Sequence, residues 1–165
     1  MKLGKIIVWT FVVLQMMGCA TAQERAEQRA KTKEAVAEAL AARRLHIDIR
    51  TMNTLRYGAK TVTTSDFFLE LRGDTLRSDL PYWGQAYQSP MGSPSIGLNF
   101  EAPILRFSES RPKSNKTLME LDVATKEDTY HYLIEVYDTG ESYIRVRSMN
   151  RDPISFDGIV GEMRE

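Results

Sequence analysis

The chain has 165 residues, of which 42% are hydrophobic, 27% charged and 9% aromatic, a balance that excludes collagen-like, low-complexity and wholly disordered proteins. Lys plus Arg and Asp plus Glu both total 22, so no global field draws the protein toward nucleic acid. A single cysteine excludes an intrachain disulfide framework, and the length suits one domain.

Residues 1–22 read as an export signal. Lys2 and Lys5 form a basic start, residues 6–17 are almost wholly apolar, and small residues follow. The apolar run is shorter than the roughly 20 residues a membrane-spanning helix needs. Two exits compete. Ala20-Thr21-Ala22 is an A-x-A site that releases a soluble chain from Gln23. Met16-Met17-Gly18-Cys19 is similar to a bacterial lipobox, which makes Cys19 the lipidated first residue of the mature protein, with Met16 where Leu is usual. The expected location is the periplasm or the outer membrane, with membrane contact only through a lipid on Cys19. Removing the signal takes away Lys2 and Lys5 and leaves a slightly negative protein.

Residues 23–44 are rich in Ala, Glu, Lys, Arg and Gln and lack Gly and Pro, so they predict a helix. Its apolar stripe is thin over residues 23–34, which read as a tether, and grows at Val36 and Leu40. A single β-rich domain is expected over residues 35–165. From Leu45 the hydrophobic period becomes two. Alternating runs at 45–50, 67–72, 75–80, 96–100, 105–107, 117–123, 130–136, 142–147 and 154–156 are separated by short turns such as Gly73-Asp74 and Asp138-Thr139-Gly140. Short turns pair neighbouring strands antiparallel. The expected fold is α+β and mainly β: an N-terminal helix packed on a strongly curved, half-barrel-like antiparallel sheet of about eight strands. A β-sandwich is the alternative.

Residues 81–95 break the rhythm of short turns. A connection of that length is long for a compact domain, and such loops often carry function. This one holds Tyr82, Trp83 and Tyr87 among glycines and prolines. Tyr and Trp offer rigid area for stacking on a sugar or holding a peptide, and Gly84 lets a backbone approach closely. The same aromatics suit a plug for one end of the sheet.

Catalytic equipment is sparse. His46 and His131 sit on strand positions that alternate with the apolar face, and neither has a second ligand at metal spacing. No G-x-S-x-G, H-E-x-x-H or phosphate-cradling glycine motif occurs. No metal or cofactor is expected. Asp66, Asp74 and Asp79 lie close enough in sequence for a hairpin to bring Asp66 and Asp79 together.

Several stretches follow one another in a familiar order. Ser65-Asp66-Phe67-Phe68 is followed by Leu71-Arg72-Gly73-Asp74-Thr75, then by residues 80–87 with Pro81-Tyr82-Trp83-Gly84, then by Leu98-Asn99-Phe100. Residues 125–130 and Asn150-Arg151-Asp152-Pro153-Ile154-Ser155-Phe156 complete the set. In these the chain resembles the uncharacterised family of small Bacteroidetes envelope proteins known as domain of unknown function 4251, over about residues 35–160. The resemblance implies an envelope location and no known activity, so it transfers no catalytic residue. The expectation is a non-enzymatic accessory protein that binds a small molecule, a glycan or an envelope protein through Tyr82, Trp83, Gly84, Tyr87, Asn99 and the concave side of the sheet. The alternatives are an envelope hydrolase using Asp66 or Asp79 with a tyrosine, and a structural subunit of an envelope assembly.

Overall fold

The computed structural model describes residues 3–62, 66–84 and 97–163, with side chains from residue 22 onward. Among the described residues one helix, α1 (Leu3–Ala41), precedes nine strands: β1 (Arg44–Thr54), β2 (Gly58–Thr61), β3 (Phe68–Arg72), β4 (Thr75–Leu80), β5 (Leu98–Lys113), β6 (Lys116–Ala124), β7 (Thr129–Tyr137), β8 (Glu141–Ser148) and β9 (Ile154–Gly161).

The helix forms where propensity is high and stops where the chain must turn into the sheet. Arg43 adopts the left-handed conformation with φ of 50°, ending the helix as a glycine often does. It is held there from several sides. Its carbonyl accepts from the Gly73 amide at 2.8 Å, its guanidinium pairs with Asp74 at 3.3 Å, and it covers the Phe107 ring at 4.3 Å. Residues 22–31 are exposed throughout, whereas Val36 and Leu40 are buried against the sheet. The helix therefore docks by its last turns, as the growing stripe predicts. Lys33 adds an ion pair to Asp138 at 3.0 Å.

The sheet runs in the order β2-β1-β3-β4-β5-β6-β7-β8-β9, and β1 also pairs with β9. Every pairing is antiparallel. The sheet is thus a closed eight-stranded barrel with β2 as an extra strand, which displaces the sandwich and carries the expected curvature to full closure. Closure pairs β1 with β9, which an open sheet of eight strands would leave as its two terminal edges. The helix lies at one end, with the β3–β4 and β7–β8 turns. The opposite end, the loop end, carries the β1–β2, β6–β7 and β8–β9 turns and the segment after β4.

Alternation sends Leu45, Ile47, Leu76, Leu121, Ile134, Ile144 and Phe156 into the barrel, all at 4% exposure or less. The Tyr132 hydroxyl reaches across to Ser78 at 3.2 Å, and Ser78 in turn donates to the Leu98 carbonyl at 2.7 Å. The interior is therefore a packed core. The described inward side chains pack against one another, as a barrel of eight strands allows when its own side chains fill it.

Two sequence readings change in detail. Residues 98–100 and 105–107 belong to one 16-residue strand, β5, which continues through Pro103 instead of stopping there. Strand β2 lacks an apolar alternation and was not expected. It forms because Thr54 closes the preceding turn, taking the Tyr57 amide at 3.0 Å and donating to the Gly58 carbonyl at 3.2 Å.

Candidate functional site

The loop end is organised around Arg151, whose side chain is 10% exposed. Its guanidinium lies over the Tyr82 ring at 5.2 Å, donates to the Gly97 carbonyl at 3.5 Å and pairs with Glu127 at 3.5 Å. One residue of the β8–β9 turn thus ties together the segment after β4, the start of β5 and the β6–β7 turn. Tyr82 is 8% exposed, and its hydroxyl donates to the Asp152 carbonyl at 3.3 Å. The Asp152 side chain receives Arg56 from the β1–β2 turn at 3.4 Å. A cavity of about 10 Å³ lies beneath, lined by Tyr82, Leu98, Tyr130 and Ile154 among others. That is barely the space of one water. Tyr82 therefore plugs the barrel.

Pro81 ends β4, and the chain then turns so sharply at Gly84 that a Cβ there would lie 2.6 Å from the Tyr82 hydroxyl. Between them Trp83 is thrown outward and is 54% exposed. Lys60 of β2 places its ammonium 3.7 Å from the Trp83 ring centre and 5.8 Å from that of Tyr57. Such contacts are worth about 0.5–1 kcal/mol at exposed sites, enough to orient a side chain. Tyr57, Leu55 and Met149 are exposed at the same end. The loop end thus presents an aromatic and apolar rim around a buried plug.

The sequence-predicted residues are divided by this arrangement. Tyr82 and Gly84 build the plug and Trp83 the rim. Asn99 is exposed on the outer face of β5, where its amide nitrogen donates to Leu80 O and Asp79 Oδ1, both at 3.2 Å. It braces the strand and does not join Trp83. Tyr87 lies outside the described residues, and Cys19 lies outside the described side chains. Tyr57, Lys60 and Arg151 were not anticipated as partners of the loop. Arg151 lay within a stretch that carried the family resemblance, but nothing local indicated what it would face. Asp79 is engaged by Asn99, Asp66 occupies an exposed turn, and neither lines the cavities described here.

The histidines are satisfied by neighbours. His46 is buried on the outer side of β1, stacked on Phe68 at 5.2 Å, with Glu70 at 3.3 Å and Asp48 at 3.2 Å from its two nitrogens. His131 meets Asp122 at 2.7 Å. Among the described residues no group of three or more His, Cys, Asp or Glu is arranged to hold a metal. Nor, among them, is any helix long and apolar enough to cross a membrane.

Two phenols link the core to pH. Burial pushes Tyr130 above its ordinary value of 10.0, against the pull of Arg151 and with help from Asp128 and Glu127. Burial raises Tyr132 further, although its bond to Ser78 works the other way. The unfolded chain ionises both near pH 10 while the folded chain holds their protons, so the stability they contribute is complete below that pH and is lost as pH rises through the folded values. Urea unfolding between about pH 8 and about pH 12 is expected to show a plateau and then a fall. Tyr132→Phe should soften the fall while costing about 1 kcal/mol at neutral pH for the Ser78 bond. An equally steep fall in the variant overturns the assignment to Tyr132.

The family described as Domain of unknown function (DUF4251) matches residues 27–160. Among solved structures, the crystal structure of a DUF4251 family protein from Bacteroides eggerthii is similar, with a TM-score of 0.61 at 12% identity over 79% of this chain and 87% of that one. At that identity the likeness shows the fold. No curated protein matches the chain.

Proposed function

We propose, for a chain that belongs to the DUF4251 family, a non-enzymatic accessory role in the cell envelope, exercised by binding at the loop end of the barrel. The observation that carries this reading is the rim. Trp83 is 54% exposed and is held by Lys60, which also faces Tyr57, and Leu55 and Met149 are exposed at the same end, opposite the docked helix. Contiguous exposed apolar area rimmed by polar groups marks interaction sites. The reading is directed outward because the cavity beneath Tyr82, as lined by the described residues, is only about 10 Å³. An export signal at residues 1–22, with Cys19 as the lipid acceptor or Gln23 as the free start, accounts for the exposed first part of α1 as a tether.

Stacking on a glycan or seating a side chain of an envelope protein both use the same indole face. Mature protein should be tested on arrays of bacterial polysaccharide fragments and by photocrosslinking from position 57 in intact cells. The reading expects a reproducible glycan or one dominant crosslinked protein, lost in Trp83→Ala. Binding that survives in Trp83→Ala and Tyr57→Ala together places the site elsewhere.

A further inference from the structure

Strand β5 changes partner along its length. Residues 98–103 pair with β4, whereas pairing with β6 begins only at Ile104 opposite Val123. Among the described residues, no strand pairs with the β6-side edge of residues 98–102. Ile104 N–H bonds Asp74 O at 2.8 Å on the β4 side. Antiparallel alternation then turns the backbone of Phe100 and Ala102 toward β4 and that of Asn99 and Glu101 toward the other edge. Arg151, which also pairs with Glu127 of the β6–β7 turn, takes the Gly97 carbonyl at 3.5 Å, and this agrees with the same phase.

The edge borders a groove of about 530 Å³. Its far wall is the β6–β7 turn, with Lys126 and Glu127, and its floor includes Phe100 and Tyr130, whose rings stack at 5.2 Å. Strand edges are usually paired, covered or made very short. This one is bounded by Pro103 at one end and by the Arg151 contact at the other, leaving about 17 Å of usable backbone between.

We propose that this edge receives an extended segment of a partner polypeptide as an added strand. The occupant follows from the chemistry. Alternating N–H and C=O groups at strand spacing are matched by another backbone, as in other cases of β-augmentation. Side chains opposite Phe100 and Ala102 point into the groove and should be apolar, whereas the residue opposite Glu101 points outward and should be basic. The site is separate from the Trp83 rim, and its failure leaves that reading untouched.

The test uses the mature protein and a synthetic capped peptide, Thr-Val-Lys-Val-Thr-Val. In the free protein, hydrogen exchange should be fast at the Asn99 and Glu101 amides and slow at those of Phe100 and Ala102, and saturating peptide should slow the first pair. N-methylating every second residue of the peptide should weaken binding about tenfold or more in one phase and leave it nearly unchanged in the other, a contrast that no folding defect can mimic. Glu101→Pro removes an N–H facing the groove without touching the β4 ladder, and should also abolish binding. Slow exchange at Asn99 and Glu101 in the free monomer means the chain itself fills the edge, and overturns the proposal. So does peptide binding insensitive to the phase of N-methylation, no binding at all, or a dimer held by this edge in sedimentation.

Discussion

Tyr82→Ala is expected to destabilise the domain by about 3 kcal/mol, while Trp83→Ala next to it should change stability by less than about 0.5 kcal/mol. The contrast follows from opposite placements of adjacent aromatics. Tyr82 is 8% exposed, donates to the Asp152 carbonyl and supports the Arg151 guanidinium, so truncating it opens a hole at the mouth of the barrel. It also releases Arg151, the residue that joins Gly97 and Glu127. Trp83 is 54% exposed, and among the described residues the ring contact it gives up is the one with Lys60. Urea unfolding of the two variants, with Tyr82→Phe as a third, measures both. The Phe variant should lose about 1 kcal/mol, the worth of one hydrogen bond. Equal destabilisation by Tyr82→Ala and Trp83→Ala would show that the indole is part of the core, and would remove the rim as a binding surface.

Gly158→Ala should cost about 2–3 kcal/mol, more than an ordinary surface-strand substitution. Gly158 sits on β9 opposite Ile49, at the pairing that closes the barrel, beside the register shift between Ile49 and Thr51. A Cβ there would lie 2.6 Å from the Asp48 carbonyl and 2.6 Å from the Ile47 Cγ2. The first of these is backbone and has nowhere to go, so the β1–β9 seam must separate locally. Hydrogen exchange across residues 46–54 and 154–161 should then rise selectively, ahead of the β6–β7–β8 region. A variant as stable as wild type, with unchanged seam protection, would mean that β1 and β9 meet less closely than described.

The loop end was half legible. The length and composition of residues 81–95 singled out an unusual aromatic segment, and alternation placed Leu80 and Leu98 in the core on either side of it. What neither property contains is direction. Tyr82 and Trp83 are one residue apart and similar in character, yet one is a plug and the other a rim, because Arg151 and Asp152 arrive from about seventy residues away to claim the first. Asn99 shows the same gap between sequence and space. Its neighbours in sequence suggested a site, and its neighbours in space, Leu80 and Asp79, use it to brace a strand. Lys60 and Tyr57 were overlooked because β2 is four residues long and has no apolar alternation to announce it.

Local interactions alone determined most of the architecture: the helix from its propensity, its docked end from Val36 and Leu40, and the strands and their antiparallel order from period-two alternation and short turns. The same rhythm marked residues 81–95 as the exception. Closure of the barrel, the filling of its interior and the placement of the rim were decided only by the tertiary structure. They depend on the pairing of β1 with β9, whose partners lie a hundred or more residues apart, from His46 with Gly161 to Thr54 with Ile154. Contacts of that range leave no periodic trace in either strand, since each strand alternates identically whether its outer edge is open or paired.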